Sequence, residues 1–255
     1  MNREFWKNRT FTSKMPKDYR CPKCEVGYLK LEKLVSHLRP GQEELIEYNY
    51  PYGIEYVFNG ILICKNNNCI NVVSISGISL KDIHSPIRDE VSVEYHDGHI
   101  TEYKPKFFLP SLNLIELPKN LPKIVEEEIK LSFSHYFNDL SSCANRIRNS
   151  IEYILDDLEA PKKFKNSKNK FQVFTKLHNR ILHYKKYKNK KIANLLLAIK
   201  IIGNEGSHIG NVTIEDILDA YEFLEKIINF AYSNDEKILH NKATEIVNKN
   251  KPLSK

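Results

Sequence analysis

The spacing of apolar residues changes near residue 118. Before it, Glu55–Cys64 and Cys69–Ser76 are short runs rich in β-branched and aromatic residues, and this composition predicts β-strands. A further hairpin is predicted where Val91–Tyr95 and Ile100–Tyr103 flank an Asp-Gly pair, because Asp-Gly favours a tight turn between strands. After residue 118, apolar residues recur every three or four positions, which predicts α-helices.

Five amphipathic helices and a weaker sixth are predicted in the second part of the chain. Their apolar positions span residues 124–140, 144–158, 171–184, 192–202 and 214–231, with the sixth in 234–247. Ser141 or Ser142 is a candidate N-cap of the second helix, and Thr213 and Asp216 form a near capping box before the fifth. Short connections between most of these helices predict an antiparallel bundle.

Prolines at 105, 110, 118 and 122 mark an extended connector between the two parts. The predicted architecture is therefore α+β. Residues 1–20 form an irregular basic lead-in, residues 21–117 a β domain, and residues 118–255 the helical bundle.

Length and composition restrict where such a chain works. A chain of 255 residues can bury a real core, as one large or two small domains. No run of about 18 apolar residues predicts a membrane span, and the first residues lack the apolar stretch of a signal peptide. We therefore expect a cytoplasmic protein, in which cysteines bind metal or stay reduced more often than they form disulfides.

The positive charge is concentrated in one segment. Pro161–Asn204 contains twelve lysines, Arg180 and no acidic residue, so this segment carries +13 and the rest of the chain −6. Such a concentration predicts a polyanionic partner, contacted through its phosphates without readout of the bases. The candidate contacts are Lys185, Lys186, Lys188, Lys190 and Lys191. The alternative, two solvated basic loops at 162–170 and 185–191, fits the same pattern.

Four of the five cysteines form two close pairs. Cys21 and Cys24 enclose two residues, Cys64 and Cys69 enclose four, and 39 residues separate the pairs. Two thiolate pairs on tight turns can complete a tetrahedral zinc site, and four thiolates leave no open position for catalysis. A redox Cys-x-x-Cys would need a thioredoxin-like context, which the sequence does not contain. We therefore predict a structural zinc ribbon, with an inserted hairpin between the pairs and Cys143 as a core residue.

A polar stretch interrupts the fourth predicted helix at its end. If the helix continues, Lys200, Asn204 and His208 share one face, although Gly203 and Gly206 weaken it. One interpretation is a helix stop followed by a loop. The other is a polar site at a helix end, with His208 as its titratable group.

A family resemblance bears on this choice. The run Gly203-Asn-Glu-Gly-Ser-His208, with Leu121-Pro122 and Arg146-Ile-Arg-Asn-Ser-Ile-Glu152 upstream, resembles an HEPN-like domain (higher eukaryotes and prokaryotes nucleotide-binding), domain of unknown function 4145. The resemblance covers about 118–232. It implies a homodimer, a role in prokaryotic restriction or anti-phage defence, and an arrangement behind a zinc ribbon.

The same resemblance implies roles for individual residues. It places Arg148 and Glu152 beside Asn204 and His208 as a buried polar network, whereas chemistry alone also allows a surface ion pair. The resemblance implies a comparison with HEPN ribonucleases, which carry the pattern Arg-x(4–6)-His with a polar residue directly after the arginine. Asn204 and His208 match this pattern, but Gly203 stands in place of the arginine.

The missing arginine weakens the case for catalysis. Without a cation, the developing charge on a phosphate loses its main stabiliser. Lys200 lies one turn earlier and could substitute, although lysine lacks the bidentate fork of arginine. The candidate catalytic residues are thus His208, Asn204 and Lys200, and Gly203→Arg would restore activity provided that the side chain fits.

We therefore expect a zinc-ribbon β domain followed by an HEPN-like bundle, in a non-catalytic, nucleic-acid-associated homodimer of a defence system that includes a protein partner. One alternative is a metal-independent endoribonuclease or toxin acting at the dimer cleft. The other is a protein–protein adaptor that does not contact nucleic acid. No membrane partner is expected.

Overall fold

The computed structural model describes residues 1–12, 18–47, 53–82, 100–206, 212–233 and 235–250. The fold is α+β, with a curled antiparallel sheet near the N-terminus and a helical C-terminal part. The strands of this sheet are β1 (Phe11–Thr12), β2 (Leu29–Leu38), β3 (Ile54–Cys64), β4 (Val72–Asp82) and β5 (Ile100–Leu109). Two short helices accompany them, α1 (Arg3–Lys7) and α2 (Glu43–Glu47).

The strand order is β1-β5-β4-β3-β2, and every neighbouring pair is antiparallel. Strands β2 and β3 form the predicted hairpin between the cysteine pairs, with Leu29 opposite Cys64. Alternation along β3 and β4 turns Phe58, Leu62 and Val73 into the core. The register thus brings the end of β3, which carries Cys64, beside the start of β2.

The second predicted hairpin is only partly within the described residues. Ile100–Tyr103 begins β5, which pairs with β4. Its predicted partner Val91–Tyr95 and the Asp97-Gly98 turn lie outside the described residues.

The helical part follows the predicted periodicity closely. Its helices are α3 (Lys123–His135), α4 (Leu140–Asp157), α5 (Leu177–Tyr187), α6 (Lys190–Glu205), α7 (Ile214–Tyr232) and α8 (Asp235–Lys249). The capping box of Thr213 and Asp216 is confirmed at the start of α7. The N-cap of α4 is Asp139 rather than a serine, because its carboxylate accepts the backbone N–H of Ser142 at 3.0 Å.

The prediction of a helix from residue 171 is wrong at its start. Lys163–Lys165 (β6) and Phe171–Val173 (β7) pair as an antiparallel hairpin, and α5 begins only at Leu177. The reason is local, since Lys-Phe-Lys and Phe-Gln-Val alternate with period two and Asn166 folds the turn between them. The expected loop at 162–170 is therefore largely a hairpin.

The basic lead-in is also more ordered than expected. In its described residues, Trp6, Phe11 and Tyr19 are buried. Arg3 pairs with Glu215 and Asp219 of α7 at 2.6 and 2.7 Å, and Phe11 stacks on Tyr103 of β5. The same apolar core continues from the sheet into the helices. Among the described helices, none is long and apolar enough to cross a membrane.

Candidate metal centre and candidate polar site

The sulfur atoms of Cys21, Cys24, Cys64 and Cys69 all lie within 4.8 Å of one another. The distance from Cys21 to Cys69 is 3.8 Å, and that from Cys24 to Cys64 is 3.7 Å. Four sulfurs at about 2.3 Å from one tetrahedral ion are separated by about 3.8 Å. These side chains therefore fit a bound metal ion, as the paired spacing predicted.

Two similar turns position the sulfurs. In the first, the N–H of Cys21 donates to the carbonyl of Gly27 at 2.8 Å, and in the second, the N–H of Cys64 donates to Asn71 at 2.9 Å. The residue after the second cysteine of each turn has a positive φ, 57° at Glu25 and 42° at Ile70. This left-handed residue reverses the chain, so both sulfurs of a turn face the same point.

Hydrogen-bond donors surround the sulfurs and favour thiolates. The N–H of Gly27 lies 3.3 Å from the sulfur of Cys24. The side-chain amides of Asn66 and Asn71 donate to Cys24 and Cys21, at 3.7 and 3.6 Å. The backbone donors, Gly27 above all, lower the pKa of Cys24 to about 6.

Burial acts in the opposite direction on the second pair. Desolvation raises the pKa of Cys64 to about 12 and also raises the pKa of Cys69. A cation placed among the four sulfurs would offset this cost, because thiolates bind metals as charged ligands. Without an ion, burial therefore opposes the thiolate forms of Cys64 and Cys69.

Gly27 is required by the packing of the site. A Cβ at this position would lie 2.6 Å from the sulfur of Cys64 and 2.8 Å from the Cβ of Asn66. Any larger residue would push the two turns apart. Cys143, in contrast, is fully buried in the helical part and lies 3.2 Å from the hydroxyl of Tyr221, as expected for a core residue.

The predicted polar site at the end of α6 is only partly described, since His208 lies outside the described residues. Asn204 is exposed, and its amide pairs with Lys200 on its own helix: the nitrogen donates to the Lys200 carbonyl at 3.2 Å, and the oxygen accepts from Nζ at 2.7 Å. Lys200 and Asn204 thus share a face, as predicted.

The predicted network of Arg148 and Glu152 with Asn204 and His208 stays a prediction, because His208 lies outside the described residues. The side chains of Arg148 and Glu152 pair at 3.2 Å, but they are 28% and 45% exposed. Both residues lie on α4 and contact solvent, so the interpretation as a surface ion pair describes them better.

Gly203 instead explains how α4 and α6 pack. A Cβ at this position would collide with the Cβ of Arg148 and would lie 3.0 Å from its Cδ. The side chain of Arg148 therefore lies across the space that residue 203 leaves open. Because even one added carbon does not fit, the proposed Gly203→Arg change cannot restore an arginine here without separating the helices.

The five predicted contact lysines cluster where α5 turns into α6. Lys185 and Lys186 lie in the last turn of α5, Lys188 is its C-cap, and Lys190 and Lys191 open α6. Asn189 caps α6 by accepting the N–H of Lys191 at 3.0 Å. The turn is therefore a defined helix-to-helix connection rather than a loose loop.

A cleft of about 570 Å³ lies between α4, the β6–β7 hairpin and the start of α5. Asp156 binds Arg180 at 2.7 Å and Lys162 at 2.8 Å in its wall. Burial acts to raise the pKa of Asp156, but these two hydrogen bonds outweigh burial and hold the pKa below its usual value. Further cations, Arg148 and Lys176, also line the cleft.

Sequence reasoning missed this cleft and the amides around the sulfurs. Asn66 and Asn71 gave a usable signal, because they lie within or just after the second cysteine pair. The cleft gave none, since its charged residues come from three consecutive elements, α4, the hairpin and α5, and no periodicity within one element places them together.

Comparison with known proteins gives two matches to family models. Residues 131–250 match a family described as Domain of unknown function (DUF4145). Residues 9–108 match one described as Domain of unknown function (DUF8608). The predicted resemblance to domain of unknown function 4145 is thereby confirmed over residues 131–250, while its HEPN-like character stays a prediction. Residues 9–108, which include the sheet except the last residue of β5, are similar to a second such domain. No curated protein and no solved structure matches the chain.

Proposed function

We propose that the protein is a nucleic-acid-associated, zinc-ribbon and HEPN-like protein of prokaryotic defence that binds a phosphate backbone without cleaving it. The observation that carries this proposal is the separation of charge. Residues 161–204 carry +13 with no acidic residue, and they form the hairpin, α5 and α6. A surface of this kind attracts polyanions through counterion release.

Helix stability does not account for two of the lysines at the α5–α6 turn. Lys190 and Lys191 occupy the first turn of α6, where the positive end of the helix dipole disfavours cations. Lys186, Lys188, Lys190 and Lys191 are exposed, and Lys185 is half-buried. Contact with phosphates would compensate for the unfavourable placement of Lys190 and Lys191 at the start of α6.

The four-cysteine site supports a structural role for zinc in the same protein. With four thiolates around one ion, no position remains for a water or a substrate. The residues that would hold the ion are Cys21, Cys24, Cys64 and Cys69. A bound ion would fix the turn before β2 and the turn after β3, and so the shape of the sheet.

The salt dependence of binding tests the proposal. Replacing Lys185, Lys186, Lys188, Lys190 and Lys191 by glutamine should weaken binding to an RNA or DNA oligonucleotide and flatten the plot of log K against log salt. The slope should fall by about 0.7–0.9 for each phosphate contact that is lost. The matched control replaces the same number of lysines outside the segment, at 30, 33, 106, 119 and 123, and should keep the slope of the parent.

Two results would contradict the proposal. An unchanged slope in the five-lysine variant would place the contact elsewhere, while no binding of the parent to any nucleic acid would favour the adaptor. The proposed homodimer is checked by light scattering, and a monomer at micromolar concentration would refute it.

One observation favours the endoribonuclease alternative. Although residue 203 is glycine, the aliphatic part of the Arg148 side chain lies across it, so an arginine of α4 passes close to the expected position, with its guanidinium paired to Glu152. A single-turnover assay on RNA in the presence of chelator separates the two functions. Cleavage by the parent that disappears in a folded His208→Ala variant would establish the ribonuclease, and absence of cleavage would support binding alone.

A further inference from the structure

The β6–β7 hairpin has one face that packs on the bundle and one that faces solvent. Phe164 stacks on Phe174 with ring centroids 4.8 Å apart, and Phe174 contacts His183 of α5 at 5.3 Å. These contacts hold the inner face of the hairpin to α5. Because side chains alternate along a strand, the neighbouring residues point the other way.

The outer face combines aromatic, aliphatic and cationic side chains. Lys165 lies directly opposite Phe171, and Lys163 lies opposite Val173. Phe171 is 68% exposed and Val173 58%, and Nζ of Lys165 lies 5.5 Å from the centre of the Phe171 ring. Folding therefore leaves this ring in water, whereas Phe164 and Phe174 on the inner face are half-buried.

The charge around Phe171 is positive and largely uncompensated. Within the described part of the chain, no carboxylate pairs with Lys163, Lys165, Lys168 or Lys170. Val173 also lines the cleft, whose wall contains Arg148 and Lys176 together with the carboxylates of Glu152 and Asp156, so the outer face borders a site of mixed charge. A ligand for this surface must offer a flat ring and several negative charges.

We propose that the outer face of the β6–β7 hairpin binds single-stranded nucleic acid, with Phe171 stacked on a base and Lys163 and Lys165 on the adjacent phosphates. The inference rests on the proposed nucleic-acid binding and adds the strandedness of the ligand and a second contact. Bases of a single strand expose their faces, whereas those of a duplex are stacked on one another. The α5–α6 lysines lie at the other end of α5, about 16 Å away along an 11-residue helix, and a flexible strand can span both clusters.

The test uses fluorescence anisotropy of the full chain with a labelled oligouridylate and with a blunt DNA duplex of equal length. Phe171→Ala should weaken binding of the oligouridylate by about 5- to 150-fold, the usual range for loss of one base–aromatic stack. Binding of the duplex should change little. Phe171→Tyr should retain the affinity of the parent, and Phe171→Leu should lose it although it remains apolar.

Two further variants make the result specific. Phe107→Ala removes another exposed strand phenylalanine, 53% exposed on β5, and should leave binding unchanged. Phe171→Trp adds a reporter to a chain whose single tryptophan, Trp6, is buried, so its emission should be quenched when the oligouridylate binds. Circular dichroism and the unfolding midpoint show whether each variant is folded.

The outcomes distinguish this inference from the function on which it rests. If Phe171→Ala binds the oligouridylate as tightly as the parent while the five-lysine variant binds it weakly, the hairpin inference is wrong and backbone binding stands. The inference would also be wrong if Phe171→Ala lost the same affinity for the oligouridylate and for the duplex. It would likewise be wrong if polyglutamate displaced the labelled oligouridylate from the parent as effectively as unlabelled oligouridylate does. A parent that binds neither oligouridylate nor duplex would overturn both.

Discussion

At residue 203, α6 packs so close to Arg148 of α4 that no side chain fits. Glycine normally weakens a helix by about 1 kcal/mol relative to alanine. Here the packing outweighs this cost, since a Cβ would overlap the side chain of Arg148. From the sequence, Gly203 was interpreted as a lost arginine and a helix breaker. The close approach of two helices was not visible there, because it depends on a residue 55 positions away.

We predict that Gly203→Ala destabilises the protein by about 1–3 kcal/mol, the usual cost of an added carbon in a tight contact. The overlap involves the Cβ of Arg148, so Arg148→Gly should relieve it. In that background, Gly203→Ala should be neutral or stabilising, as helix propensity predicts. Urea unfolding of the four proteins measures this coupling. Equal costs of Gly203→Ala in both backgrounds would show that Arg148 is not the obstacle.

The cysteine ligands are the part of the site that sequence predicted best. Each sequence pair lies on one tight turn, and the two turns meet so that Cys21 lies 3.8 Å from Cys69 and Cys24 lies 3.7 Å from Cys64. We predict one zinc per chain, and a large loss of zinc in Cys64→Ser together with a less stable sheet, since binding energy at such sites is folding energy. Elemental analysis of protein purified without chelator measures this.

Cys143→Ser is the matched control for that experiment. Cys143 is a buried thiol of the helical part beside Tyr221, so its variant should retain the zinc of the parent. The assignment of zinc would be refuted if the parent contained no zinc. It would also be refuted if Cys64→Ser contained as much zinc per chain as the parent.

Among the helices, α4 shows how a cap adds pH dependence to an element. Hydrogen bonds from the Ser142 hydroxyl and N–H lower the pKa of Asp139 below its usual 3.8. The carboxylate therefore stabilises the fold fully above about pH 4, and this contribution is lost as the pH falls through the lowered pKa.

We predict that Asp139→Ala costs about 1 kcal/mol of stability at neutral pH, the usual value of an N-cap. Its difference from the parent should shrink on acidification, when the parent carboxylate is protonated. Asp139→Asn keeps a capping oxygen but has no charge. It should therefore lose little stability at neutral pH, and its stability should depend little on titration at this position. Urea unfolding at several pH values measures both, and a constant gap between alanine variant and parent down to acid pH would contradict the argument.

Helices were predicted with greater accuracy than the hairpin for a physical reason. The apolar stripes of α4, α6 and α7 face a common core, so their period survives in the sequence. The β6–β7 strands have only three residues each and expose most of their side chains. Such short segments leave a weak periodicity, and Phe171 and Phe174 were assigned to the following helix for that reason.

In the whole molecule, Trp6 lies where the sheet and the helices meet. Its ring packs near Tyr19 from the metal-site side and near Tyr136 and Phe137 after α3, and its carbonyl accepts the hydroxyl of Tyr136 at 2.7 Å. The sequence offered no sign of this junction, because the apolar residues among the first 20 follow neither the period of a strand nor that of a helix. Their charge suggested a lead-in, whereas three aromatic residues decide their structure.

We predict that removal of the metal by chelator destabilises the helices as well as the sheet, because a continuous core joins them. The emission of Trp6 should change on chelation, and helix melting followed by circular dichroism should shift to lower temperature. Trp6→Ala should cost about 3–5 kcal/mol and make helix melting less sensitive to chelator. Helix melting that is indifferent to chelator in the parent would show that the two parts are independent.

The docking of α1 on α7 has a consequence for the order of events during synthesis. Arg3 leaves the ribosome early, but its partner Glu215 is 212 positions later. At about 5–20 residues per second, the first segment waits on the order of 10–40 s for that partner. The cysteine turns and β2–β4 are complete well before then. Docking of Arg3 onto α7 is therefore a late step of maturation, which follows the packing of Trp6 on Tyr19 and Tyr136.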